Sequence, residues 1–244
     1  MKPLHRMLVL SAAYRQSSSE NAPAAWGSAV ADTAAKSEAT PVAVDRNNRW
    51  LWRMNSRRLE AEAVRDALLA TGGTLDTTLG GPEIPEGEGF SILRRSLYFR
   101  STPNERMTLL DTFDAADPNG CYRRKESVVP AQALALMNSP LALDASRAIA
   151  ESLCGTPTPD DEPNRRAFVR AAFERVLSRA PTDAEVSTCL AYLERVANGP
   201  TIEGDKSFPA GPTGRRPPSK DPARRARENL VHVLVNHNEF VTVR

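Results

Sequence analysis

Apolar positions recur at helical spacing in a series of separate stretches along this chain, divided by long polar gaps. Leu59, Ala63, Val64, Ala67 and Leu68 form one stripe, which predicts a helix over 56–70 with Ser56 as N-cap and Gly72-Gly73 as the stop. Pro130 suits the first position of a helix that Pro140 ends, and Ser139 then caps another running to about Leu153. Residues 164–198 read as a helical hairpin. Phe168, Ala172, Phe173, Val176 and Leu177 face one way, Pro181 breaks the helix, and Thr182 with Glu185 makes a capping box for the partner. That partner aligns Val186, Cys189, Leu190, Leu193 and Val196. A last helix over 222–240 places Ala226, Leu230, Val233, Leu234 and His237 on its inner stripe, with His232 on another face. Near the start, Leu4, Met7, Leu8 and Ala12 mark an amphipathic helix.

The gaps carry a different signal. Residues 17–45 are rich in Ser and Ala without periodicity, and read as a surface loop or flexible insertion. Residues 199–222 hold six prolines and four glycines, a linker composition. Leu97, Tyr98 and Phe99 favour a short strand over 94–100. The resulting fold class is mainly α: an irregular multi-helix domain over 1–244 with long loops and at most one short β-strand pair.

Composition narrows the function classes. The chain has 32 basic and 30 acidic residues among 244, a formal charge of +2, so global electrostatics select no nucleic acid or other polyanion. The hairpin has the outline of a DNA-binding helix-turn-helix, but its second helix carries Asp183, Glu185 and Glu194 against Arg195 alone, and phosphate would repel it. No apolar run reaches the ~18–20 residues of a membrane span. Met7–Ala13 is short for a signal peptide core, and Tyr14, Arg15 and Gln16 stand where small residues belong. Cys121, Cys154 and Cys189 are far apart, with no CxxC pair and no haem-attachment pattern, so no cofactor is expected in this chain. There is no GxSxG elbow, Walker loop or GxGxxG.

The densest cluster of polar chemistry runs from Arg94 to Asn138. Asp111, Asp114, Asp117 and Asn119 lie close together, but their spacing fails the calcium-loop pattern, and Asp117-Pro118-Asn119-Gly120 is ordinary turn chemistry. Arg123, Arg124 and Lys125 follow at once. Two readings stand: the guanidinium groups close on the neighbouring aspartates, or they grip a carboxylate or phosphate ligand. Gln132, in the first turn after Pro130, completes the candidate polar-ligand loop of Asp114, Asp117, Asn119, Arg123, Arg124 and Gln132. Trp50 and Trp52 flank Leu51, which leaves one indole facing away from the core.

The stretches LHRMLVLSAAYRQSS, NRWLWRMNSRRLEAEAVRDALLATGGTLD, RRSLYF, FDAADPN, VVPAQALALMNS, AFERVLSRAPTDAEV and LVHVLVNHNEF, in this order, resemble a planctomycete-type bacterial family of unknown function. That family commonly lies at the C-terminal end of exported proteins that also carry a planctomycete cytochrome c domain. The resemblance supplies no catalytic residues. It implies a cell-envelope or periplasmic setting, haem confined to an upstream domain, other segments of the same envelope protein as partners, and a chain that begins inside the family's domain. The leading expectation is a non-catalytic binding or scaffolding module. The alternative is a hydrolase acting on a polar, carbohydrate-type substrate through Asp114 or Asp117.

Overall fold

The computed structural model describes residues 1–18, 41–103, 105–120, 124, 127–155, 160–197 and 214–243. It is mainly α, with nine helices and a single two-stranded antiparallel sheet among the described residues. Two compact units result, one from residues 1–58 with 242–244, the other from Leu59 to Val241.

The smaller unit holds α1 (Lys2–Leu10), the short α2 (Pro41–Val44) and the strand pair β1 (Arg57–Arg58) and β2 (Thr242–Val243), with Arg57 opposite Val243. Its turn after α2 is built on polar groups. The buried Asp45 carboxylate accepts the Trp50 amide at 2.8 Å, and its carbonyl accepts Trp52 Nε1 at 2.8 Å. The Trp50 amide also holds the Asp45 carboxyl below the usual carboxylate range. Asn48, buried at φ +52°, donates its amide to Arg53 O and Asn55 Oδ1. Trp52 is half-buried under Arg53, whereas Trp50 is exposed.

The larger unit is a helical assembly around α6. In chain order it contains α3 (Ala61–Thr71), α4 (Thr108–Thr112), α5 (Pro130–Asn138), α6 (Pro140–Cys154), α7 (Glu162–Leu177), α8 (Asp183–Ala197) and α9 (Pro222–Val235). Leu141, Ala142, Ala145 and Ile149 of α6 are buried against α9 and α3. The hairpin of α7 and α8 packs on α9 and adds Phe168, Ala172, Phe173, Val186 and Leu193 to the same core. Gly72 at the end of α3 lets two backbones meet, because a Cβ there would stand 3.2 Å from Ala145 Cα.

Several boundaries fall as the pattern predicted. Pro130 and Pro140 open consecutive helices. The capping box is real: Thr182 N–H donates to Glu185 Oε2 at 2.7 Å and Glu185 N–H to Thr182 Oγ1 at 3.3 Å.

Three expectations are corrected. The helix predicted from Ser56 starts five residues later, because Arg57 and Arg58 are strand residues and Leu59 N–H donates to Val241 O. The strand predicted over 94–100 is a 3₁₀ turn, Ser96–Tyr98, since among the described residues only isolated bridges, Asp76 to Arg94 and Ile84 to Phe99, pair that stretch. His237 is exposed and lies beyond α9, which ends at Val235. The buried face of that helix runs through Ala226, Arg227, Leu230, Val231, Leu234 and Val235, and Val233 points outward. Residues 19–40 and 199–213, parts of the two predicted flexible stretches, lie outside the described residues, as does residue 198 at the end of the predicted hairpin.

Candidate functional site

The polar loop between α4 and α5 is held from three sides. Phe113 and Leu110 bury α4, and Asp114 leaves it at φ +60°, a left-handed conformation that Asp tolerates better than most residues. There its Oδ2 accepts both the amide and the hydroxyl of Ser127, each at 2.7 Å. Gln132, buried in the first turn of α5, donates Nε2 to Thr112 O at 3.1 Å and to Ser127 O at 3.2 Å. Asp114, Ser127 and Gln132 thus form one clasp joining the end of α4 to the start of α5. Gln132 Oε1 is buried and finds no hydrogen-bond partner among the described residues.

The remaining members of the predicted loop are dispersed. Asp117 is exposed, accepts Asn119 N–H at 3.0 Å in a short Asx turn, and lies 3.6 Å from Arg106. Arg106 also reaches Asp111 at 3.1 Å, so one guanidinium bridges two of the loop's acids. Asn119 is exposed. Arg124 does not close on Asp114 or Asp117. It forks onto Glu62 of α3 at 2.5 and 3.3 Å, with Glu60 at 3.9 Å, and the hydrogen-bonded carboxylate raises the Arg124 pKa. Arg123 lies outside the described residues.

Ser127 and Arg106, which sequence reasoning passed over, are the partners that satisfy the two aspartates. The signal available for Ser127 was weak: a small hydroxyl three residues before the helix-opening Pro130. Arg106 sits five residues before Asp111 with no helix to give that spacing meaning.

The loop borders a groove of about 420 Å³. Arg124 with Glu60 and Glu62 lines one part, Leu97, Phe99 and Arg100 another, and Ala115, Ala116 and Pro118 a third. Neither aspartate of the loop lines it. The Phe99 wall is fixed by an interaction that no pattern announced. Arg65 of α3 is fully buried and donates to Gly89 O at 2.9 Å, Ile92 O at 2.5 Å, Arg94 O at 2.8 Å and Ser96 Oγ at 3.1 Å. Its neighbour Asp66 accepts the Ser96 amide at 2.8 Å and hydroxyl at 2.6 Å. The Arg65 guanidinium also stacks over Phe99, 4.9 Å from the ring centre. Burial lowers its pKa to about 10, with Asp66 opposing.

A mixed groove of carboxylates and guanidiniums with an aromatic wall can bind a polar or zwitterionic group. Among the described residues, no cluster of three or more His, Cys, Asp or Glu has the arrangement of a metal centre. No described helix is long and apolar enough to cross a membrane.

With the clasp and the groove in place, comparison with known proteins defines the class. The family described as Protein of unknown function (DUF1553), PSD1, matches residues 1–193. The chain belongs to that family. No curated protein and no solved structure matches it.

Proposed function

We propose that this chain is a non-catalytic binding or scaffolding module of an exported cell-envelope protein that works beside c-type haem domains, and that its ligand surface is the groove bounded by Arg124, Glu62 and the 111–132 loop. The observation that carries the reading is the clasp. The Asp114 carboxylate is engaged in structure, since its Oδ2 accepts two hydrogen bonds from Ser127 and ties α4 to α5. A binding surface of fixed shape follows from such tethers, whereas proton transfer calls for a carboxylate facing a substrate. The exported, haem-associated setting rests on the order of sequence motifs described above.

The experiment is a pair of measurements on the full chain. Titration with a purified c-type cytochrome domain, followed by calorimetry, is expected to give saturable binding that Arg124→Gln weakens about tenfold, the loss of a charge-assisted contact. A glycoside panel is expected to give no turnover. A hydrolytic rate that vanishes in Asp114→Asn while the melting temperature holds would replace this reading with a hydrolase.

A further inference from the structure

The smaller unit exposes a face that its own described residues do not cover. α1 has no buried residue: Met7 is 64% exposed, and Leu4, Leu8 and Leu10 are likewise open. At 100° per residue, Leu4, Met7, Leu8 and Leu10 fall on one arc of the helix, and Lys2, His5 and Arg6 on the other, with Val9 among them. A nine-residue helix of this kind is marginal alone in water and gains its stability from a surface laid against it.

The aromatic and cationic groups of the unit belong with that helix. Gln16 Nε2 donates to Leu51 O at 2.8 Å, and Met54 N–H to Ser17 O at 2.9 Å, so the chain leaving α1 is tied to the turn that carries Trp50 and Leu51. Trp50 is 75% exposed and Tyr14 is exposed as well. Charge is concentrated here too. Residues 1–58 hold nine Lys and Arg against four Asp and Glu, while residues 59–243 hold 22 against 26. Among the described residues of this unit Asp45 is the only acid, and it is buried and bonded to the Trp50 amide.

We infer that this unit docks on an anionic lipid surface, with α1 lying in the plane of the interface. A cationic arc beside an apolar arc, with Trp and Tyr exposed nearby, is the arrangement that sits at the headgroup boundary. Lys2, Arg6, Arg46 and Arg49, all exposed, meet the anionic headgroups. The apolar side chains enter the acyl region without a shaped pocket, which suits a helix whose exposed residues are flexible Leu and Met rather than an interlocking set. This inference concerns a different unit from the proposed ligand groove and stands apart from it.

Co-sedimentation of the full chain with vesicles tests it. Pelleting is expected with phosphatidylglycerol-containing vesicles at low salt, and not with pure phosphatidylcholine, and it is expected to fall as salt screens the headgroups. Replacing Lys2, Arg6, Arg46 and Arg49 together by Gln should weaken binding by about 600-fold, about fivefold for each cation. Leu4→Gln with Leu8→Gln should abolish it at unchanged melting temperature, since neither residue touches the core. Three results overturn the inference: no pelleting with anionic vesicles, binding to a soluble polyanion that is indifferent to Leu8→Gln, or a concentration-dependent dimer that Leu8→Gln dissolves.

Discussion

Arg65 shows how much a single side chain can carry. A buried guanidinium is costly unless every N–H finds an acceptor, and here the three carbonyls and one hydroxyl of the 89–96 segment supply them. Truncation leaves those acceptors without a donor and frees the Phe99 wall. Arg65→Ala is therefore expected to cost about 3–5 kcal/mol in urea denaturation. Arg65→Lys should recover little, because an ammonium cannot span acceptors arranged for a planar fork. His232 is the complementary case, a residue whose protonation state is set by packing. Its Nε2–H donates to Met137 O at 3.0 Å, and Nδ1 of the neutral ring lies 3.3 Å from Ser146 Oγ, whose hydroxyl donates to Ala142 O at 2.7 Å. Burial, chiefly, and the nearby Arg147 lower its pKa. The unfolded chain then takes up a proton below about pH 6.5 that the fold resists, so stability is present above that value and declines as pH falls through the folded pKa. Melting curves between neutral and mildly acidic pH should show this slope, and His232→Gln, which keeps a donor to Met137, should flatten it.

At the scale of elements, ionic ties fix how helices follow one another. Arg179, just past α7, reaches Glu185 of α8 at 2.7 Å and Glu239 beyond α9 at 2.6 Å. Arg179, with help from the Thr182 cap, brings the Glu185 pKa down to about 2. The stabilisation is therefore full above the ordinary Glu value of about 4.5 and is lost as pH falls toward about 2. Because Glu185 is nearly a third exposed, screening reduces the effect to about 1–2 kcal/mol. Glu185→Gln should lower the melting temperature at neutral pH, and the two proteins should converge in strong acid. The α4–α5 clasp makes a second prediction. Asp114→Ala loses two charge-assisted bonds at a left-handed backbone position and should cost about 2–3 kcal/mol in the same urea assay. Asp114→Asn retains an acceptor and tolerates that backbone, and should cost less than about 1 kcal/mol. These ties also explain what the sequence disclosed. The Thr182–Glu185 box and the helices opened by Pro130 and Pro140 are local, so spacing alone revealed them. Asp114 finds Ser127 thirteen residues away, Arg124 finds Glu62 at a separation of 62, and Arg65 finds Ser96 at 31. Such partners are chosen by tertiary packing and leave no periodic trace. For the same reason the Leu97-Tyr98-Phe99 run, strand-like by propensity, became a turn once its flanking carbonyls were committed to Arg65.

At the scale of the whole chain, a formal charge of +2 conceals a division that the average erased: a basic N-terminal stretch and an acidic remainder. The division has a physical consequence independent of any lipid. Near the isoelectric point of about 8.5, a protein of evenly mixed charge has no net attraction to a sulfonate resin. This chain presents Lys2, Arg6, Arg46 and Arg49 as exposed cations in a unit whose described residues contain one buried acid, so its local field stays positive when the total vanishes. It should be retained on a cation exchanger at its own isoelectric pH and elute with moderate salt, within the range where the Debye length drops to about 10 Å. Converting those four residues to Gln should send it through the column even when pH is lowered to restore the same total charge. Retention that depends only on total charge would mean that the acids of residues 59–243 neutralise the basic unit. The sign asymmetry would then belong to the sequence without shaping the surface the protein offers to a partner.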